Sequence, residues 1–150
     1  MAVTFQTERF ADVWEEIQPL LLRHWDEVAV KEAFGSLEVD ETRYRLMDDA
    51  GFLHITTARD SGRLVGYAAY FIYGNLHYKS RVIADADVFF LMPERRNGLL
   101  GLRLLRAAEA AVKARGAQVI VQKVKVAHDC GALFRRMGYQ LTEHLYMKVV

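Results

Sequence analysis

Two hydrophobic patterns follow one another along the chain, one with the period of a strand and one with the period of a helix. The strand pattern covers residues 3–9, 53–75, 81–92, 117–126 and 139–150. The helical pattern covers residues 10–34, 41–51, 98–115 and 130–138. Because strands and helices interleave, the order βααβββαβαβ predicts an α/β fold, a mixed sheet with helices on both faces.

Two breaks divide these segments. Pro19 lies inside the first helical segment and predicts a kink or two abutting helices. Asp60, Ser61 and Gly62 interrupt the longest strand segment and predict a hairpin. The chain has only two prolines and no Ser/Gly-rich tract, so its 150 residues are expected to form a single domain (1–150).

The composition narrows the partners and the compartment. The chain is 52% hydrophobic and 26% charged, and its net charge is +1, so the total charge favours neither a nucleic-acid nor a membrane partner. The single cysteine, Cys130, excludes an internal disulfide and fits a reducing compartment. No secretion signal and no membrane-spanning run is found in the sequence, so we expect a cytoplasmic protein without a membrane partner.

A charged, glycine-bearing turn precedes the third helical segment. Asn97 is the residue there that suits a helix cap, yet Arg95, Arg96, Gly98 and Gly101 surround it. The free N–H groups of a helix start attract anions, glycine lets an anion approach the backbone, and arginine adds charge-assisted bonds. The turn therefore predicts an anion site, although a capped helix beside a solvated arginine pair gives the same pattern.

The element order and two motifs resemble the GNAT acyltransferases over nearly the whole chain. The family's turn signature, Arg/Gln-x-x-Gly-x-Gly/Ala, is matched by Arg96 and Gly101 within PERRNGLLG. Its later motif, Leu-Tyr-x-x-x-Gly-Phe, is matched by LFRRMGY (133–139). The stretches HWDEVA and HYKS also look like a phage-associated subgroup of the family.

The resemblance implies the acyl-CoA N-acyltransferase fold, with a mostly antiparallel sheet of six to seven strands. It implies an enzyme that moves an acetyl group from acetyl-CoA, its cosubstrate, to a primary amine by direct attack in a ternary complex. The fourth and fifth strands should splay where the pantetheine arm bonds to the backbone, and an N–H near Phe90 or Leu91 should stabilise the oxyanion. The cofactor-binding residues it implies are Phe89, Phe90, Leu91, Arg95, Arg96, Asn97, Gly98, Leu99, Leu100, Gly101, Leu102 and Phe134.

Two departures from the family pattern qualify this assignment. Leu99 replaces the middle glycine of the turn, and Phe134 replaces the tyrosine that usually serves as general acid. Either the thiolate leaves unassisted or another group protonates it, with Tyr78, Tyr139 and Tyr146 as candidates by type. The departures also favour an alternative, a non-catalytic acyl-CoA-binding or scaffold protein that kept the fold.

Candidates for the base that deprotonates the amine come from the fourth strand. Strand alternation places Asp85 and Asp87 on one face together with Ile83, Phe89 and Leu91. Two neighbouring carboxylates raise each other's proton affinity, so either could act as base or hold a cationic amine. Solvated acids near a strand edge would give the same pattern.

Further catalytic candidates are His24, His77 and Tyr78, which flank the acceptor site if the family resemblance holds. Capped or solvated side chains explain them equally well. The five histidines are scattered, so we expect no metal. The resemblance implies that the acceptor is a small-molecule or macromolecular amine. The near-neutral charge argues against nucleic acid, although Lys123 and Lys125 belong to a local basic stripe. A homodimer is left open.

Overall fold

The computed structural model describes residues 2–150, which build five strands and five α-helices. The strands are β1 (Thr4–Thr7), β2 (Leu53–Asp60), β3 (Arg63–Gly74), β4 (Val82–Leu91) and β5 (Val119–Val121). The helices are α1 (Phe10–Val28), α2 (Lys31–Phe34), α3 (Glu41–Asp49), α4 (Leu100–Ala114) and α5 (Gly131–Arg136). Short 3-10 turns lie at Pro93–Arg95 and Val126–His128.

The five strands form one mixed sheet in the order of the chain. Strands β1 to β4 pair antiparallel, and β5 pairs parallel to β4. This confirms the mixed α/β fold, but the predicted six to seven strands are wrong by at least one. Residues 139–150 form no strand, because no neighbouring strand offers its backbone groups to them in the part of the chain described. Strand β5 is also shorter than the predicted 117–126.

Local sequence signals explain most element boundaries. Helix α1 runs through Pro19, so the predicted division lies further on, at Ala29 and Val30, before α2. The Asp40 carboxylate accepts a hydrogen bond from the Arg43 N–H (2.9 Å) and caps α3. The predicted hairpin between β2 and β3 is confirmed.

Its two-residue turn places Ser61 and Gly62 at positive φ angles of 52° and 83°. Such a turn matches the twist of the two strands that it joins.

Each face of the sheet has its own core. On one face, Val13, Trp14 and Ile17 of α1 pack against β2 and β3. On the other face, Ala108 and Val112 of α4 belong to a core that also contains Ala84 and Ala86 of β4.

Strand β4 carries a β-bulge at Asp87. On β3, Tyr70 lies opposite Ala86, and its neighbour Ala69 lies opposite Val88, so Asp87 is the extra residue of β4. An inserted residue shifts the alternation of every side chain that follows it.

The shift changes which face the predicted site residues occupy. Asp87 contacts Tyr44 of α3, on the α1/α3 face, whereas Phe89 and Leu91 lie beside Gly101 of α4. The prediction that Asp85, Asp87, Phe89 and Leu91 share one face is therefore wrong for the last two residues. Sequence alternation could not show the bulge, because it is set by the pairing with β3.

Candidate functional site

A gap opens between β4 and β5. Their parallel pairing is limited to three positions, where residues 83–85 of β4 face residues 119–121 of β5. From Ala86 onward β4 has no strand on this side within residues 2–150. The predicted splay of the two strands is confirmed, and the second half of β4 presents a free backbone edge to the gap.

The backbone of β4 alternates between β3 and the gap. The Met92 N–H donates to the Val65 carbonyl of β3 (2.9 Å), so the Phe90 groups also point towards β3, whereas those of Phe89 and Leu91 point into the gap. The Leu91 carbonyl agrees with this, since it accepts from Arg96 Nε (2.9 Å). Of the predicted backbone contacts, Phe89 and Leu91 therefore have the orientation that a ligand in the gap needs.

The start of α4 lies directly beyond this edge. No side chain caps the helix, so the capping role considered for Asn97 is not observed. The first backbone bond here runs from the Arg103 N–H to the Leu99 carbonyl (2.9 Å). In the described structure, the N–H groups of residues 97–102 donate to no protein acceptor. Gly98 adopts the left-handed conformation with φ 93°, which turns the chain into the helix. These amides form a cradle suited to an anion.

The two arginines of the turn are engaged in ion pairs. Arg95 Nη2 lies 2.5 Å from Asp60 Oδ2, and Arg96 Nη2 lies 2.7 Å from Glu27 Oε2. The first pair connects the turn to the β2–β3 hairpin, and the second connects it to α1. The unpaired donors of this turn are therefore its backbone amides, and binding of an anion here, by the amides or by either arginine, stays a prediction.

The two aspartates of β4 are brought together but have different partners. The Tyr44 hydroxyl donates to Asp87 Oδ2 (2.6 Å). The Asp85 carboxylate pairs with Lys123 Nζ (2.8 Å) and accepts from the Tyr73 hydroxyl (3.2 Å). Loss of surrounding water raises the pKa of Asp87. The Tyr44 hydrogen bond and the Lys123 charge lower that pKa, and Asp85 raises it further.

A small cavity adjoins Asp87 on the α1/α3 face, and an open groove lies on the same face beside Tyr44. The cavity of about 30 Å³ is lined in part by Tyr44, Tyr67 and Asp87, and its volume suits about one water molecule. The buried Tyr67 hydroxyl has no hydrogen-bond partner among the described residues. The groove measures about 310 Å³, and Tyr44 lines it as well. Its lining residues are Asp40, Arg43, Tyr44, Met47 and Phe71.

The remaining catalytic candidates lie apart from the aspartates. The His24 ring packs on Phe90 (5.4 Å between centroids), and burial lowers its pKa. His77 and Tyr78 lie in the exposed turn between β3 and β4, where their N–H groups donate to the Asn75 side chain. The structure therefore brings His24 to the second half of β4 and leaves the other two outside the site.

Phe134 lies where the family motif has its tyrosine, next to the gap. Its ring is buried and packs edge-on against Phe89 (6.5 Å) and Tyr139 (5.6 Å). The Tyr139 hydroxyl donates to Glu109 Oε1 (2.5 Å), so it is already engaged on the α4 side. The other substitute acids, Tyr78 and Tyr146, are exposed.

Sequence reasoning missed the tyrosines around the acid pair. Tyr44, Tyr67 and Tyr73 come from α3 and β3, and only the folded sheet brings them to β4. Their own segments carry no local motif that could have identified them. The sequence marks Lys123 only by its charge, and its pairing with Asp85 depends on the course of the chain after β5.

Residues 2–150 contain neither a candidate metal centre nor a membrane-spanning helix. No group of three His, Cys, Asp or Glu side chains is arranged to hold a metal ion. None of the described helices combines the length and the apolar character that crossing a bilayer requires.

Comparison with known proteins agrees with this geometry. The family model described as Acetyltransferase (GNAT) family matches residues 12–139. No curated protein sequence matches the chain significantly. The comparisons give no support to a phage-associated subgroup.

Solved structures share the fold at low sequence identity. A ribosomal-protein-alanine N-acetyltransferase from Brucella melitensis biovar Abortus 2308 superposes with a TM-score of 0.72 at 16% identity, covering 99% of each chain. A predicted acetyltransferase with acetyl-CoA from Clostridium acetobutylicum gives 0.72 at 13% identity, covering 98% of this chain and 96% of that one. An aminoglycoside acetyltransferase from an uncultured soil metagenomic sample, in complex with sisomicin, gives 0.71 at 14%, covering 99% and 97%.

Proposed function

The chain belongs to the acetyltransferase (GNAT) family, and we propose that it is an N-acetyltransferase that moves an acetyl group from acetyl-CoA to a primary amine. The observation that supports this most strongly is the gap between β4 and β5, which opens directly beside the uncapped start of α4. A free strand edge and a cradle of amides are what the two ends of a coenzyme A molecule require. One similar structure contains acetyl-CoA, which supports the same cosubstrate here.

The residues of the gap fit acetyl-CoA as substrate. The amides of residues 97–102 would hold its diphosphate, because the N–H groups and the helix dipole both favour negative charge. The free backbone groups of Phe89 would bond to the pantetheine amides. The rings of Phe89 and Phe134 would cover the apolar part of the arm.

The proposed chemistry is direct attack in a ternary complex. The amine enters from the groove beside Tyr44 and loses a proton to Asp87, directly or through a water in the adjoining cavity. Its nitrogen bonds to the thioester carbon, the Leu91 N–H stabilises the oxyanion, and the carbon–sulfur bond breaks to release coenzyme A thiolate. The raised pKa of Asp87 favours its carboxylate as a proton acceptor.

The acceptor is proposed to be a cationic amine. Asp40 and the aromatic rings of Tyr44 and Phe71 line the groove, and carboxylates with aromatic faces attract ammonium groups. One structural neighbour is an aminoglycoside acetyltransferase with sisomicin, which supports a small acceptor, whereas another is a ribosomal-protein-alanine N-acetyltransferase. Both a small-molecule and a macromolecular acceptor therefore remain candidates.

The proposal is tested by two linked measurements. A ligand that binds only the folded chain at a hundredfold excess over its Kd adds about 2.7 kcal/mol of stability, so acetyl-CoA should raise the Tm. Thiol release from acetyl-CoA is then followed across a panel of small amines and peptides. Absence of a Tm shift at saturating acetyl-CoA would refute the assignment.

A second candidate is a non-catalytic acyl-CoA-binding protein. The observation in its favour is the buried Phe134, which supplies no proton where the family motif has a tyrosine. The two candidates agree on binding and differ on turnover. Acetyl-CoA binding without thiol release, on any amine of the panel, would support the binding protein over the enzyme.

A further inference from the structure

The hydroxyl of Tyr67, on β3, is buried in the core beside the second half of β4. The side chain is 2% exposed, and its hydroxyl has no hydrogen-bond partner among residues 2–150. Its ring packs against Phe90 of β4, with 6.2 Å between the centroids. A buried hydroxyl without a partner is costly, and a phenylalanine would fill the same space without that cost. A partner that is not part of the protein would remove the cost.

The adjoining cavity has the room and the polar groups that such a partner needs. Its volume of about 30 Å³ is enough for a water molecule. A buried water typically makes about three hydrogen bonds, and three of the lining residues carry side-chain oxygens: Tyr44, Tyr67 and Asp87. The Tyr44 hydroxyl already donates to Asp87 Oδ2 (2.6 Å), which leaves Tyr67 as the hydroxyl donor without an acceptor.

We propose that Tyr67 is a positioning residue for Asp87. Its hydroxyl donates to a water in the cavity, and this water donates to the Asp87 carboxylate. Together with the bond from Tyr44, the water holds the carboxylate from the core side, while Asp87 itself is exposed and can be reached by an amine. The part of Tyr67 in acetyl transfer rests on the proposed function, whereas the water and its bond to Asp87 do not.

The groups around Asp87 decide how the loss of this water would change its pKa. Loss of surrounding water raises the pKa, the Tyr44 bond and the Lys123 charge lower it, and Asp85 raises it. Burial and the nearby Asp87 charge raise the pKa of Tyr67, so its hydroxyl keeps its proton and can donate. A water held by Tyr67 adds a hydrogen bond to the charged carboxylate and lowers the pKa of Asp87. Removal of the Tyr67 hydroxyl should therefore raise that pKa.

The first test is the pKa of Asp87 in Tyr67→Phe, which keeps the ring and removes only the hydroxyl. Carbon-13 NMR of the Asp87 carboxyl should give a pKa higher than in the unmutated chain by about half a unit to one unit. The control Tyr70→Phe removes a hydroxyl from the same strand but from the opposite face of the sheet, where it accepts from Gln122 (2.8 Å). This control should leave the pKa of Asp87 in place. An unchanged pKa in Tyr67→Phe, or an equal shift in both variants, would overturn the proposal.

Thermal unfolding shows whether the Tyr67 hydroxyl has a partner. Removal of a hydroxyl that is buried dry would raise the Tm, whereas loss of a hydroxyl bonded to water should leave the Tm unchanged or lower it. A higher Tm in Tyr67→Phe would therefore overturn the proposal. The methyl groups of Ile55, which is 3% exposed, line the same cavity. Magnetisation transfer from a long-lived water to these methyl groups gives a measurement on the unmutated chain, and its absence would also overturn the proposal.

Turnover measures what the water does for Asp87 during the reaction. Tyr67→Phe should lower kcat by about tenfold, because a less well-held base is misplaced, and should leave KM for acetyl-CoA unchanged. In an Asp87→Asn background the same substitution should cause no further loss, since Tyr67 acts through Asp87. An unchanged kcat, or an equal loss in both backgrounds, would overturn the positioning role. If the unmutated chain releases no thiol, the proposed function fails, and NMR and unfolding still decide whether Tyr67 holds the water.

Discussion

The two halves of β4 lie in the same strand but in different surroundings. Residues 83–85 have a strand on each side, and Ala84 and Ala86 belong to the core on the α4 face of the sheet. Residues 87–91 have a strand on one side only, and they begin with the bulge at Asp87. The first half therefore builds the sheet, and the second half presents backbone and side chains that are free for a ligand.

The same division separates the two aspartates. Asp85 lies in the paired half, where Lys123 and Tyr73 occupy its oxygens. Asp87 lies on the bulge beside a cavity, and its pKa is raised. The sequence alone does not distinguish the two acids. The extra residue in the strand gives them different surroundings and different hydrogen-bond partners. This comparison shows that the bulge, rather than the acidic pair itself, singles out the proposed base.

The largest effect is expected when each aspartate is neutralised separately, which tests whether the two acids have different roles. If Asp87 takes the proton of the amine, Asp87→Asn should lower kcat by about a hundred- to ten-thousandfold. The matched control Asp85→Asn removes a partly exposed ion pair and should change kcat by less than about fivefold. Thiol release gives the rates, and calorimetry should show unchanged acetyl-CoA affinity for both variants.

Two outcomes would contradict this division of roles. Equal activities of the two variants and the unmutated chain would place the base elsewhere, and His24, which packs on Phe90, becomes the next candidate. A larger loss in Asp85→Asn than in Asp87→Asn would reverse the assignment.

The free half of β4 is tested at its contact with α4. A Cβ at Gly101 would lie 3.7 Å from the Phe89 ring and 3.8 Å from the Leu91 side chain, which is ordinary contact. Gly101→Ala should therefore fold normally. Gly101→Val extends further towards the gap and should weaken acetyl-CoA binding by about tenfold, a change of about 1.4 kcal/mol. Unchanged affinity in Gly101→Val, with a normal Tm, would place the ligand elsewhere.

The difference between the two halves of β4 also shows which structural features the sequence could predict and which it could not. Periodicity predicted β2, β3, β4 and α4 nearly residue by residue, because their apolar faces are buried in the core. It overestimated β5 and the tail, since a strand pattern does not say whether a partner strand exists. The motif at residues 93–101 located the uncapped helix start.

The candidate site was predicted less completely, for tertiary reasons. The acid pair was found by its spacing, but the bulge at Asp87 depends on the register with β3. The ion pairs of Arg95 and Arg96 depend on α1 and on the β2–β3 hairpin, which are distant in sequence. Tyr44 reaches Asp87 from a helix whose own pattern carries no catalytic signal.

The pH dependence of kcat/KM gives a further test of the difference between the two aspartates. The Tyr44 hydroxyl stabilises the charged form of Asp87 and so lowers its pKa. Tyr44→Phe should raise that pKa and move the acid limb of the kcat/KM profile to higher pH, by about one unit. The control Tyr73→Phe removes the bond to Asp85 and should leave the limb in place. A limb that stays fixed in Tyr44→Phe would show that another group titrates.

The smallest expected effect concerns the leaving group beside the free half of β4. Phe134 packs on Phe89, so the hydroxyl of Phe134→Tyr would be added next to the gap. A thiol with a pKa of about 8.5 leaves readily as thiolate, so we expect kcat to rise by only about two- to fivefold. The ring is 5% exposed, and a buried hydroxyl without a partner costs about 1–3 kcal/mol, so the Tm should fall. A lower Tm with unchanged kcat would show that the thiolate needs no proton in the rate-limiting step, and that the family's tyrosine is dispensable on this chain.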